Sequence, residues 1–168
     1  MEKITTNMEN LYRKVELDEK DKKILAVLET NARLPISEIA KKTRIQRDSV
    51  LYRIKRMQKL NVIKLFHTTL NTTALGHPVY SFVNLMLQNV NQDDEKKMVG
   101  FFKEHPNIVY AAKMTGKWDF TINVAAKNFR HFDNIMTEIR MKFSGLIRDY
   151  EASSIIEEYK YDQMSGLI

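Results

Sequence analysis

The chain has 168 residues, 43% of them hydrophobic and 29% charged, with no cysteine, a formal net charge of +6 and a sequence pI near 9.4. That length suits one domain or two small ones, and the apolar share is enough to bury a core, which argues against wholesale disorder. Lack of cysteine excludes disulfides and thiolate metal sites, and no apolar run approaches the ~20 residues of a membrane span. Met1 to Asn7 carries no apolar signal segment, so a soluble cytoplasmic protein without membrane contact is expected.

Charge is distributed unevenly. Leu17 to Val62 holds twelve Lys/Arg against six Asp/Glu, whereas residues 1–16 and 63–168 are each balanced, three against three and twelve against twelve. The whole positive excess therefore falls in one stretch of 46 residues. A helically patterned basic block is the electrostatic footprint of a nucleic-acid-binding module, because Lys and Arg displace counterions from phosphates.

Residues 1–16 are polar with scattered apolar positions and read as an arm or a short helix. Asp18 is placed to cap a first helix whose face is Ile24, Leu25 and Leu28. Asn31 to Pro35 interrupts it. A second helix carries Ile36, Ile39 and Ala40 inward and ends in Lys41 and Lys42. After a short connection through Arg44, a third helix runs from Arg47 to about Leu60. Val50, Ile54, Met57 and Leu60 form its apolar seam, and Asn61 stands where left-handed geometry is tolerated. Val62 to Thr69 looks extended, and Asn71 to Pro78 reads as a linker.

The periodicity then changes. Val79 to Gln88 is a strand run with little polar character, with Val79, Val83, Leu85 and Leu87 set against Phe82 and Met86. Asp93 to His105 is a helix stopped at Pro106, and Ile108 to Thr115 a strand. From Trp118 to Val124 the pattern alternates, with Trp118, Phe120, Ile122 and Val124 on one side. Asn128 to Phe143 is a helix and Arg148 to Tyr161 a last strand. The order βαββαβ is that of a ferredoxin-like split βαβ fold, so the fold class is α+β. A sheet covered by helices on one face, with no polar face on its first strand, is expected to pair with a second copy as a homodimer.

The third helix is the expected reading head. Asp48, Ser49, Tyr52, Lys55, Arg56 and Lys59 cluster opposite the seam, the arrangement a helix needs to enter the major groove of double-stranded DNA. Arg47, Asp48, Ser49 and Tyr52, with Gln46 just ahead of them, are expected at base edges. Lys55, Arg56 and Lys59 are expected at phosphates, with Lys41 and Lys42 from the preceding helix. Arg53 lies beside the seam and is expected to pair with Asp21 or Glu29 rather than with DNA.

Leu17 to Leu25, Asn31-Ala32-Arg33, Glu38-Ile39-Ala40, Arg53-Ile54-Lys55-Arg56-Met57 and Asn61-Val62-Ile63 follow in the order and spacing of one family. Thr115 to Phe120 adds a Gly-x-x-Asp turn between two strands. Over residues 17–162 the chain resembles the Lrp/AsnC, or feast/famine, transcription regulators. The resemblance implies a winged helix-turn-helix domain at 17–62, a linker strand at 63–78, a RAM effector-binding and oligomerisation domain at 79–162 and a tail at 163–168. It also implies dimers assembling into tetramers or octamers, and an amino-acid effector held by Met114, Thr115, Gly116, Lys117, Trp118 and Asp119, with Tyr150 and Ala152 nearby. Arg44 and Gln46 stand where the family commonly has Gly in the bend and Ser as the cap.

No catalytic, metal or cofactor site is expected. His67, His77, His105 and His131 are scattered, and neither a Gly-rich phosphate loop nor a nucleophile elbow is present. Besides a metabolite-binding module that no longer binds DNA, two alternatives accompany the regulator reading. One is an architectural DNA-binding protein without an effector. The other is an enzyme like the sirohaem decarboxylases, which share the family's domain plan; their anionic substrate needs basic groups, and the cleft here offers Lys113 and Lys117.

Overall fold

A computed structural model describes residues 14–160 and 164–167. The expected N-terminal arm lies largely outside them. The chain divides into two compact units, with the boundary between Thr68 and Thr69; the segment from Lys160 onward belongs to the first unit.

The first unit holds α1 (Glu19–Thr30), α2 (Ile36–Thr43) and α3 (Arg47–Lys59). Asp18 opens α1 with a reciprocal cap: its carboxylate accepts from the N–H groups of Lys20 and Asp21, both at 2.9 Å, and Asp21 accepts from the Asp18 N–H at 3.3 Å. Ile24 and Leu28 of α1, Ile39 of α2, Ile45 of the bend, and Val50, Ile54 and Met57 of α3 form one buried cluster. Thr43, also buried, returns its hydroxyl to the Ile39 carbonyl at 2.8 Å.

Two residues reverse the chain with left-handed backbone. Arg44 ends α2 at φ 57°, ψ 39°, and Asn61 follows α3 at φ 58°. Asn tolerates this conformation readily, whereas a long side chain adopts it at a cost. Leu60, expected in the seam, instead caps α3 and is 41% exposed, because Val62 and Ile63 fold back to donate to the Met57 carbonyl and pack on the cluster themselves. Among the described residues, 60–78 form no strand, so the extended reading and the wing are not realised as paired structure; Thr72 to Gly76 is a turn.

The second unit is β1 (Val79–Leu87), α4 (Gln92–Glu104), β2 (Ile108–Lys113), β3 (Phe120–Ala126), α5 (Phe129–Lys142) and β4 (Ile147–Ser154). The strands pair antiparallel in the order β2-β3-β1-β4, which is the expected split βαβ arrangement. Asn91 and Asn128 cap α4 and α5, and His105 closes α4. Val83, Leu85, Phe120, Ile122 and Val124 of the sheet bury against Met98, Phe102, Ile135, Met136 and Ile139 of the helices.

The last strand stops at Ser154, where its pairing with β1 ends at Ser81; it does not continue toward Tyr161, which lies outside the described residues. The first central strand does have polar company. Register and alternation place Tyr80, Phe82, Asn84 and Met86 of β1 on the face away from the core, beside Ala125, Asn123 and Thr121 of β3. Asn123 donates to the Tyr80 hydroxyl at 2.8 Å, and Phe82 is 43% exposed. This open face is mixed rather than wholly apolar.

Candidate nucleic-acid interface and effector turn

Position in α3 sorts its side chains into three groups. Val50, Ile54 and Met57 are buried. Arg47, Asp48, Leu51, Tyr52, Lys55 and Lys59 are exposed. Ser49, Arg53 and Arg56, each half-buried, form the flank that meets α1.

That flank is an ion network around Asp21, a carboxylate 1% exposed. Arg53 Nη1 donates to Asp18 Oδ2 at 2.7 Å and to Asp21 Oδ1 at 2.8 Å; Arg56 Nη1 donates to Asp21 Oδ2 at 3.0 Å. Arg53 Nε also reaches the Ser49 hydroxyl at 3.4 Å. The Arg53 guanidinium, helped by the Asp21 N–H, holds the Asp18 carboxyl below the ordinary carboxylate value, and Asp18 and Asp21 in turn raise Arg53. Two cations on one buried carboxylate compensate a charge that would be costly alone.

Several expectations change at this point. Arg53 pairs with Asp21 as expected, but its second partner is Asp18. Glu29 instead accepts from the N–H groups of Met164 and Ser165, next to a short 3₁₀ turn (Ser165–Leu167). Arg56, expected at a phosphate, is tied to Asp21, and Ser49 points into the same flank. The sequence pattern grouped both with the exposed side chains opposite the seam; the tie to α1 spans 35 residues, and periodicity carries no information about it.

The exposed ridge is cationic. The Arg47 side chain is 70% exposed and Asp48 96%, with 4.0 Å between their charged atoms. Tyr52 is 67% exposed and shares the rim of a shallow hollow with Arg53, Arg56, Asp18 and Asp21. Lys41 and Lys42 end α2, exposed, and Gln46 stands exposed at the entry to α3 without a side-chain cap bond. Such a helix offers donors, one carboxylate and exposed cations toward solvent, while its opposite side is locked to its own domain.

The turn between β2 and β3 is built by Asp119. Its Oδ2 accepts from the Leu87 N–H at 2.7 Å, its N–H donates to the Leu85 carbonyl at 2.9 Å, and its carbonyl accepts from Met114 N–H at 2.7 Å. Gly116, at φ 111°, supplies the positive φ of the bend. Met114, Thr115, Gly116 and Lys117 are exposed, and Trp118 is half-buried under the Lys117 ammonium, 4.5 Å from the ring centroid. Trp118 precedes β3 rather than alternating within it. Tyr150 lies across β1 from this turn: it pairs with Leu85, whose other partner is Phe120, and Arg140 sits 5.4 Å from its ring centroid. The structure thus gathers residues 114–119 in one turn and sets Tyr150 one strand away, packed on the core.

Residues 17–58 match the AsnC-type helix-turn-helix domain, and residues 81–165 match the Lrp/AsnC ligand binding domain. The HTH-type transcriptional regulator FL11 of Pyrococcus furiosus is 30% identical over 120 residues, covering 71% of this chain and 78% of its own. The HTH-type transcriptional regulator Rv2324 of Mycobacterium tuberculosis is 32% identical over 124 residues, covering 74% and 82%. The fold is shared with the transcriptional regulator NMB0573 of Neisseria meningitidis, solved with L-Met, at a TM-score of 0.79 and 18% identity over 91% of this chain and all of that one. Escherichia coli AsnC superposes at 0.74, with 18% identity over 90% of this chain and 99% of that one. These relatives are regulators of transcription, and the decarboxylase alternative has no support among them. Two domain matches in the expected order, spanning most of its length, show that this chain belongs to the Lrp/AsnC family of transcriptional regulators.

Proposed function

We propose that this regulator acts in the cytoplasm as a homodimer that presents two copies of α3 to successive major grooves of double-stranded DNA. Arg47, Asp48 and Tyr52 face base edges, with Gln46 at the helix entry. Lys55 and Lys59, with Lys41 and Lys42, neutralise phosphates. Arg53, Arg56 and Ser49 position the helix from behind. The carrying observation is the split of α3 into an exposed cationic ridge and a flank whose arginines are already spent on Asp18 and Asp21.

The two copies pair through the open sheet faces, where Phe82 and, on the outer strand β2, Tyr110 leave aromatic surface in water, 43% and 52% exposed. Dimers assemble further, to tetramers or octamers, around the turns at 114–119. An amino acid binds there between copies; the L-Met complex of NMB0573 supports that class of ligand. Because Asp119 already accepts from Leu87 through one oxygen, its other oxygen is left for an α-amino group, and N–H groups near Gly116 take the carboxylate. An effector that prefers one assembly selects one spacing of the reading heads.

Selection from a random DNA pool with the full chain tests the reading. Enrichment of a pseudo-palindrome whose half-sites lie about one helical turn apart supports it. Binding without enrichment, weakening steeply with salt, would leave an architectural protein instead.

A further inference from the structure

Leu51 is the apolar residue of α3 that the domain does not use fully. Val50, Ile54 and Met57 are buried, while Leu51 is 37% exposed. It stands one turn after Arg47 and one turn before Lys55, and Lys59 follows a turn later, so an aliphatic group interrupts a line of cations at i, i+4 spacing. With Arg47 at base edges and Lys55 and Lys59 on phosphates, the residue set between them faces the groove. A leucine there has no hydrogen bond to offer a phosphate or a polar base edge. The major groove presents one apolar group, the C5-methyl of thymine. The neighbouring residues point the same way: Asp48 accepts only and is repelled by phosphate, so the first two turns of α3 are directed at bases rather than at backbone.

We infer that Leu51 is a specificity-determining residue that packs on a thymine methyl, so that each half-site carries a thymine beneath the first two turns of α3. This rests on the reading of α3 as the DNA-facing helix.

The experiment uses the full chain and a pool-selected duplex of about 30 base pairs, long enough for two half-sites a helical turn apart. Each thymine is replaced in turn by deoxyuridine, which removes the methyl and keeps every hydrogen-bonding group. Fluorescence anisotropy at fixed salt is expected to show one position per half-site where the replacement weakens binding about fourfold, the effect of one buried methyl. In Leu51→Ala that thymine-over-uracil ratio falls to near unity, and in Leu51→Met it is kept. Circular dichroism checks that the variants fold; should Leu51→Ala fail, loss of the ratio in Leu51→Ser, which has no methyl to offer, decides in its place. Retention of the full ratio without the leucine, or its loss in Tyr52→Ala while Leu51→Ala keeps it, overturns the assignment. If Lys55→Ala weakens binding but no thymine is discriminated, the Leu51 assignment falls and the DNA-facing reading stands. If no duplex is enriched, the Leu51 assignment falls; if in addition bulk duplex is bound no more weakly by Lys55→Ala than by the parent, the DNA-facing reading falls with it.

Discussion

The guanidinium of Arg53 lies 2.8 Å from a carboxylate oxygen of Asp21, and that carboxylate is 1% exposed. One contact thereby joins the helix proposed to read DNA to the first turn of α1, at the point where Asp21 also completes the helix cap. The rotational setting of α3 is fixed by charge as well as by its apolar seam.

Removing Arg53 therefore tests the fold more than the interface. Arg53→Ala leaves Asp21 buried with only Arg56 to compensate it, and the cost to the first unit should be about 2–3 kcal/mol, below the full penalty of an orphaned charge. Urea unfolding monitored by circular dichroism measures it. Binding of Arg53→Ala at low temperature, where the unit is still folded, should keep the salt dependence of the parent.

Lys55 and Arg56 are neighbours in sequence with opposite expectations. Lys55→Ala should lower the slope of log affinity against log salt by about 1.8 for the dimer, the release of one phosphate's counterions per subunit. Arg56→Ala should leave that slope unchanged and lower stability instead, because its guanidinium is held by Asp21. A salt titration of both variants on one duplex separates the two roles.

Arg44 holds a left-handed backbone at φ 57° in the bend between α2 and α3. Glycine takes this conformation freely, so Arg44→Gly should raise stability by about 1 kcal/mol, read as an increased melting temperature. A fall in melting temperature would mean that the Arg44 side chain makes compensating contacts.

Acid should act on two carboxylates that the fold holds below their ordinary values. Asp18 is lowered by Arg53 and the Asp21 N–H, and Glu29 by Ser165 and the Met164 N–H. For a carboxyl depressed on folding, the stabilisation is complete above the unfolded value, 3.8 for Asp18 and 4.5 for Glu29, and is lost as pH falls through the lower folded values. Stability attributable to these groups should be flat from neutral pH down to the ordinary values and decline below them. Asp18→Asn and Glu29→Gln should each remove part of that decline in an acid titration of the melting temperature.

Much of this was legible in the sequence because it is local. The seam Val50, Ile54, Met57 follows the helical period, Asp18 and Asn61 sit where termini need them, and the βαββαβ order follows from the switch of period after Pro78. What escaped depended on partners far along the chain. Arg56 looked like any exposed cation until Asp21, 35 residues away, was placed beside it. The open face seemed apolar because only Phe82 and Met86 were weighed on it; Asn84 of the same strand lies there too, and Asn123 joins it through the register Phe82↔Asn123. Leu60 followed the helical period one residue past the end of α3, just before the chain turns back at Asn61. Leu51 was passed over because the polar side of α3 was searched for polar groups.

The measurement that bears most directly on the account is the affinity of the full chain for its pool-selected duplex and for a scrambled duplex of equal length at one salt concentration, each repeated with Lys55→Ala. The account predicts a preference for the selected duplex of about 10³-fold or more, typical of a specific regulator, with both affinities lowered in the variant. Equal affinity for the two duplexes, or binding indifferent to Lys55, would contradict it.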